Sequence, residues 1–101
     1  MLENCGTTDA EDIDEYIARD GYSAFEQALF EMTDEAICKE ISDSGLRGRG
    51  GGGFPAGRKW ESVRLQPTGK KYVVCNGDEG DPGAFMDRSI MEGNPHSIIE
   101  G

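Results

Sequence analysis

The apolar positions of the first 44 residues recur at helical spacing. Thr8-Asp9-Ala10-Glu11 predicts a capping box, and Ile13, Tyr16 and Ile17 then share one face of a first helix that Gly21 breaks. Tyr22, Phe25, Ala28 and Leu29 predict a second helix. Thr33 is placed to cap a third, with Ile37, Cys38 and Ile41 facing inward and Gly45 ending it. Residues 8–44 are therefore expected to form three short helices. Beyond Pro55, Ala56 to about Leu65 predicts another helix, and Gln66-Pro67-Thr68-Gly69 a turn. Lys71-Tyr72-Val73-Val74-Cys75 is a β-branched and aromatic run that predicts one buried strand. The loop Asn76 to Gly83, rich in glycine and acids, follows it. A short helix is expected over about Asp87 to Glu92, broken by Asn94-Pro95, with Gly101 near the start of another helix. Loop, helix, strand and loop in that order predict an α/β unit, in which ligands sit beyond the carboxyl ends of strands.

Between the helical region and the strand lies a stretch that cannot build a core. Of the sixteen residues from Gly45 to Trp60, seven are glycine, four of them consecutive from Gly50 to Gly53. Arg47 and Arg49 stand at one end and Arg58-Lys59 at the other. Glycine lets backbone N–H groups approach a ligand closely, and the flanking cations point to an anion, most naturally the phosphates of a nucleotide cofactor. G-x-G-x-x-G occurs in Gly48, Gly50 and Gly53, but four successive glycines satisfy that pattern cheaply, and here a helix rather than a strand precedes it. The P-loop pattern fails, because Lys59 follows Arg58 and Trp60 replaces the Ser/Thr. A flexible linker is the competing interpretation; interspersed arginines, Phe-Pro and Lys-Trp argue against it.

Composition narrows the setting. A 101-residue chain with 36% hydrophobic residues and 15 glycines supports at most one small domain with a thin core. The formal net charge of −10 argues against nucleic acid as a partner. Most of the acids precede residue 44, so the glycine stretch is a cationic island. Cys5, Cys38 and Cys75 form no C-x-x-C pair, which argues against a zinc or iron–sulfur site built by this chain alone. An odd cysteine count, no apolar run of membrane-span length and no apolar secretory segment at the N-terminus lead us to expect a cytoplasmic protein.

Other candidates have two readings each. Lys59 and the arginines are either solvated surface charge or neutralise phosphate. Phe54 and Trp60 are either core residues or, on a ligand loop, stack on a planar heterocycle. Asn76, Asp78, Glu79 and Asp81 are either a solvated acidic turn or hold ribose or ribityl hydroxyls; the calcium-loop pattern is absent. His96, the only histidine, has no nucleophile beside it in sequence and is read as structural. Cys75, inside an apolar run, is read as a packed small hydrophobe.

Taken together, Ser44 to Pro55 and Gly57-Arg58-Lys59-Trp60 resemble the flavin loop of the NADH-binding flavoprotein subunit of respiratory complex I and its relatives. Cys75 to Gly83 resembles the same family's second motif, and Asp87-Arg88 and Pro95-His96 continue the likeness to Glu100-Gly101. Asn4-Cys5-Gly6, Ile13 to Ala18 and Gly21-Tyr22 are similar to the diaphorase subunits of NAD(P)-linked hydrogenases and formate dehydrogenases, and this resemblance favours that branch over the respiratory one.

The resemblance implies a fold class of α/β: an N-terminal helical segment over 1–44, followed over 45–101 by the N-terminal half of a Rossmann-like FMN/NAD-binding domain, incomplete in this chain. It implies that FMN lies against Gly48, Arg49, Gly50 and Gly51 and that Lys59 reaches the flavin or the nicotinamide cofactor. Asn76, Asp78 and Glu79 would hydrogen-bond the ribityl chain or ring, and Phe54 and Asp81 would help bind NAD(H) or NADP(H). Asp81 stands where the family often has Glu, and Ser62-Val63 stand where some members have an adenine-stacking aromatic. The implied chemistry is hydride transfer from NAD(P)H to FMN, with electrons passed to iron–sulfur clusters. The family's [4Fe–4S] cysteine motif is absent from these 101 residues, so a cluster is expected in a full-length parent only, with iron–sulfur subunits of a multisubunit dehydrogenase or hydrogenase as partners. The chain is thus expected to be a fragment inactive by itself. The alternatives are a stand-alone nucleotide- or phosphate-binding module and a partner-dependent interaction fragment without redox activity.

Overall fold

Helix α1 (Ile13–Ala18) begins later than the Thr8 capping box predicts, because Asp12 takes the cap. Its Oδ1 accepts from the backbone N–H of Asp14 at 3.0 Å and of Glu15 at 3.3 Å, satisfying donors that a helix start leaves orphaned. The Glu15 carboxylate reaches back past the cap to the Asp9 N–H at 3.2 Å, while the Asp12 N–H is bonded to Asp9 O at 3.2 Å, so the cap is not the reciprocal box. Helix α2 (Ser23–Glu31) and helix α3 (Asp34–Ser44) follow. α3 has the predicted ends: Thr33 Oγ1 accepts from Ala36 N–H at 3.1 Å, and Gly45 terminates the helix in the left-handed region at φ 72°. Helices α4 (Ala56–Arg64), α5 (Met86–Gly93) and α6 (Pro95–Glu100) complete the order, with Pro95 both ending α5 and opening α6.

This computed structural model describes residues 5–101 and divides the chain into two compact units. The unit of residues 28–73 is built on α3 and α4. Cys38 of α3 is buried, and α4 meets α3 so closely that a Cβ on Gly57 would lie 2.2 Å from Ser42 Oγ and 2.7 Å from the Ser42 Cα and N. Arg64 holds Glu61 through two hydrogen bonds of 2.8 and 2.6 Å. Burial, then the neighbouring Glu61 carboxylate, pushes the Cys38 thiol pKa up, which keeps it protonated in the α3–α4 seam.

The other unit comprises residues up to Gln27 and from Val74 onward. Its centre is a polar–aromatic cluster. The His96 ring stacks on Tyr16 with centroids 5.1 Å apart, and the Tyr22 hydroxyl meets His96 Nδ1 at 2.7 Å. The Tyr16 hydroxyl donates to Glu100, whose other oxygen accepts from Phe25 N–H at 3.4 Å. A carboxylate from α6 therefore serves the N-terminus of α2. Burial, followed by the Glu100 contact, pushes the Tyr16 phenol up to about 12. Burial pulls the Glu100 carboxyl upward, but the Tyr16 hydroxyl and the α2 backbone N–H groups outweigh it and hold the carboxyl below its usual range. Ile90 and Asn94 are buried alongside.

Lys71–Cys75 does not form the expected strand, and the described residues contain none. Tyr72, Val73 and Val74 are 76, 99 and 83% exposed, and Cys75 is exposed rather than packed. The run has strand composition, but a strand exists only with a ladder partner, and among the described residues nothing pairs with it. No helix of the described residues is long and apolar enough to cross a membrane.

Candidate functional site

The glycine stretch folds as a pinched loop. Arg47 and Pro55 form an isolated antiparallel bridge, with Gly48 N–H donating to Phe54 O and Ala56 N–H to Leu46 O, each at 2.9 Å. Arg47 Nη1 donates to Gly53 O at 3.0 Å, and Arg49 Nη1 to Arg47 O at 2.5 Å. The base is closed by main chain and the interior by a guanidinium, leaving Arg49 to Gly53 as the tip.

The tip glycines fall into two kinds. Gly51 and Gly53 have φ of 98° and 60°, which side chains other than glycine's rarely adopt. Gly50 and Gly52 have no such requirement, and a Cβ on either would meet nothing within 4 Å. Neither backbone strain nor crowding inside this chain asks for glycine at positions 50 and 52. A surface that bare of side chains leaves main-chain N–H groups open to an anion.

Phe54 closes the loop and remains 46% exposed. The Arg58 guanidinium carbon lies 5.7 Å and Lys59 Nζ 5.4 Å from its ring centroid, within cation–π range. Both cations sit in the first turn of α4, which has no side-chain N-cap because Pro55 holds that position. The uncapped N–H groups and the helix dipole add positive potential where the loop enters the helix. The tight α3–α4 seam at Gly57 fixes the orientation of α4, and with it the position of Lys59 on that helix.

Asn76, Asp78, Glu79 and Asp81 belong to the other unit. Asn76 Oδ1 accepts from Asp78 N–H at 3.1 Å, an Asx turn. Glu79, at φ 49°, directs its carboxylate to the Asp87 N–H and so serves the first turn of α5. Asp81 O accepts from Ala84 N–H at 3.1 Å, and the Asp78 and Asp81 side chains are exposed. Two of these four polar side chains thus also shape their own loop. Among the described residues no group of three or more His, Cys, Asp or Glu side chains converges as a metal site. His96 has the structural place expected of it, held by Tyr16 and Tyr22.

Sequence reasoning missed the task of Arg47, which ties the loop from within, and the cap that Glu100 gives α2. The signal for Arg47 was its position directly before Gly48 and across from Phe54-Pro55, the geometry of a closed loop base. Glu100 had no local signal.

Residues 41–101 match the family model described as the Nuo51 FMN-binding domain. The chain is 50% identical over 97 residues to the NADP-reducing hydrogenase subunit HndC of Solidesulfovibrio fructosivorans, covering 96% of this chain and 19% of that protein. It is 46% identical over 101 residues to an NADH-quinone oxidoreductase subunit of Rhizobium meliloti, covering 100% of this chain and 24% of that one. To an NADH-quinone oxidoreductase subunit of Aquifex aeolicus it is 51% identical over 89 residues, covering 88% and 20%. The chain therefore spans 19 to 24% of the length of these relatives. These identities do not separate the hydrogenase branch from the respiratory one.

Proposed function

Because the chain belongs to the Nuo51 FMN-binding domain family, we propose that it is the N-terminal part of a flavoprotein oxidoreductase subunit that moves a hydride between NAD(P)H and FMN. The observation that carries this reading is the loop tip, where Gly50 and Gly52 are bare although nothing in the chain within 4 Å requires it. FMN, when bound, supplies the two-electron acceptor chemistry. The chain's own residues bind and orient. Arg49, Gly50 and Gly51 present main-chain donors and one cation to phosphate, Gly48, whose N–H is bonded to Phe54 O, adds a surface free of side chain beside them, and the uncapped first turn of α4 adds its dipole. Lys59 offsets negative charge on the cofactors, and Phe54 offers a flat, exposed apolar face to NAD(H) or NADP(H). Asp78 and Glu79 accept from ribityl hydroxyls or ring N–H groups, Asn76 donates to or accepts from them, and Asp81 contacts the nicotinamide nucleotide. No side-chain acid or base is needed for a hydride to move.

The same reading assigns 1–44 to a helical segment and 45–101 to the first half of a Rossmann-like FMN/NAD domain. The exposed run Tyr72-Val73-Val74 supports it, since a β-forming segment this bare needs strands from elsewhere in a longer polypeptide. So does the small core: Cys38 and Ile90 are the buried apolar residues among those described. The chain alone is then not a competent dehydrogenase. Its longer parent, cytoplasmic, carries the [4Fe–4S] cluster and delivers electrons to iron–sulfur partner subunits.

The test is a titration of FMN into the longer polypeptide containing this segment, read by flavin fluorescence and then by anaerobic addition of NADH or NADPH. Quenching on binding and bleaching of the bound flavin by one nucleotide are expected. A folded polypeptide that leaves flavin fluorescence unchanged overturns the proposal.

A further inference from the structure

We propose that Asn76-Gly77 is a site of spontaneous covalent modification, at which the Asn76 amide is lost through a succinimide to give aspartate and isoaspartate. The chemistry needs the backbone nitrogen of the following residue to reach the side-chain carbonyl carbon. The Gly77 nitrogen loses its proton to solvent and attacks Asn76 Cγ; the C–N bond closes a five-membered ring, and the amide nitrogen leaves as ammonia after taking up a proton. Water then opens the ring at either carbonyl, with no oxidant or reductant involved.

Three features of the chain favour this. Gly77 has no side chain to shield its nitrogen, and among the described residues no hydrogen bond engages that N–H. Asn76 is exposed in a stretch outside any helix. The Asx turn holds the Asn76 side chain back over the following peptide, and the 3.1 Å bond from Asp78 N–H polarises the carbonyl under attack.

The chain contains its own comparisons. Asn94 precedes Pro95, whose nitrogen carries no hydrogen, and is buried. Asp20-Gly21 could form the same ring, but the Gly21 N–H is bonded to Tyr16 O at 2.9 Å. On the flavin reading above, isoaspartate at 76 lengthens the main chain at a flavin-contacting residue; that consequence alone rests on the reading, and the modification does not.

The experiment incubates the 101-residue chain at mildly alkaline pH in ¹⁸O water and maps its peptides over time, beside a synthetic peptide of residues 71–83. Expected are a mixture of aspartate and isoaspartate at 76, each with one ¹⁸O, at a rate at least equal to that of the free peptide, with Asn94 intact. Persistence of Asn76 alongside Asn94, aspartate without isoaspartate, or a rate an order of magnitude below the free peptide overturns the inference. Flavin binding by the longer polypeptide is read separately, so failure of one does not decide the other.

Discussion

Substituting Gly50 by alanine separates a ligand's demand for glycine from the chain's own. A Cβ at position 50 meets nothing within 4 Å, and its φ is not in the left-handed region. Within the chain the change is therefore strain-free, and the loss of unfolded-state freedom stabilises by about 0.4–1 kcal/mol. Gly69 has the same properties, with nothing within 4 Å of its Cβ, and lies in the turn before the exposed apolar run. The two substitutions differ only in what approaches from outside. If main chain at Gly50 touches a phosphate, the added methyl forces the anion away and forfeits one charge-assisted hydrogen bond, about 1.5–3 kcal/mol. At 1.4 kcal/mol per tenfold, that is a loss of about 10- to 150-fold in FMN affinity. The assay is fluorescence titration of FMN into the longer polypeptide carrying either Gly50→Ala or Gly69→Ala, with unfolding midpoints measured alongside. Equal FMN affinities for the two variants would refute the close-approach argument.

Further outcomes are expected elsewhere. Gly57→Ala should destabilise by about 1–3 kcal/mol despite its gain in helix propensity, because the methyl would sit 2.2 Å from Ser42 Oγ; Ser42→Gly should not rescue it, since Ser42 Cα and N lie at 2.7 Å, and an unchanged urea midpoint would contradict this. Arg47→Met should release the loop base, raising amide exchange at Gly48 and Ala56 by up to about tenfold for one net hydrogen bond of about 0.5–1.5 kcal/mol; exchange rates equal to wild type would show that the guanidinium does not hold Gly53 O. The Tyr16 phenol, raised from 10.0 to about 12 in the fold, favours its neutral form there. The stability it contributes is complete below pH 10 and is lost as pH rises toward 12; Tyr16→Phe should flatten the stability profile over that window, and an unaltered profile would count against the coupling. Lys59→Ala should weaken cofactor binding more than Lys70→Ala, because Lys59 lies beside Phe54 at the loop whereas Lys70 lies over Tyr72; equal effects would remove Lys59 from the site.

What the sequence made legible was local. Thr33 and Gly45 bracket α3 because a cap is decided by a few neighbouring residues, and Asn94-Pro95 breaks α5 because proline lacks an N–H; α6 starts at Pro95 itself rather than near Gly101, since the same fixed φ suits the first position of a helix. The Thr8 capping box was displaced because Asp12, closer to the apolar face, is an equally good acceptor. Long-range partners were not legible. Lys71–Cys75 carries every compositional mark of a strand, but composition does not say which segment pairs with it. Glu100 serves α2 from 75 residues away, and nothing in its own surroundings announces that. In the candidate site, glycine count and flanking charge were evident from the chain, whereas the difference between Gly51 and Gly53, held by their φ, and Gly50 and Gly52, held by nothing internal, needed coordinates.

Amide exchange across the loop, measured on the longer polypeptide with and without FMN at saturation judged by absorbance, tests the central claim most directly. Slowed exchange at Arg49 to Gly53 on flavin binding, with the turn at Thr68-Gly69 unaffected, is the predicted result. Bound flavin with unchanged exchange at those five amides would contradict it, because the phosphate would then rest on some other part of the protein.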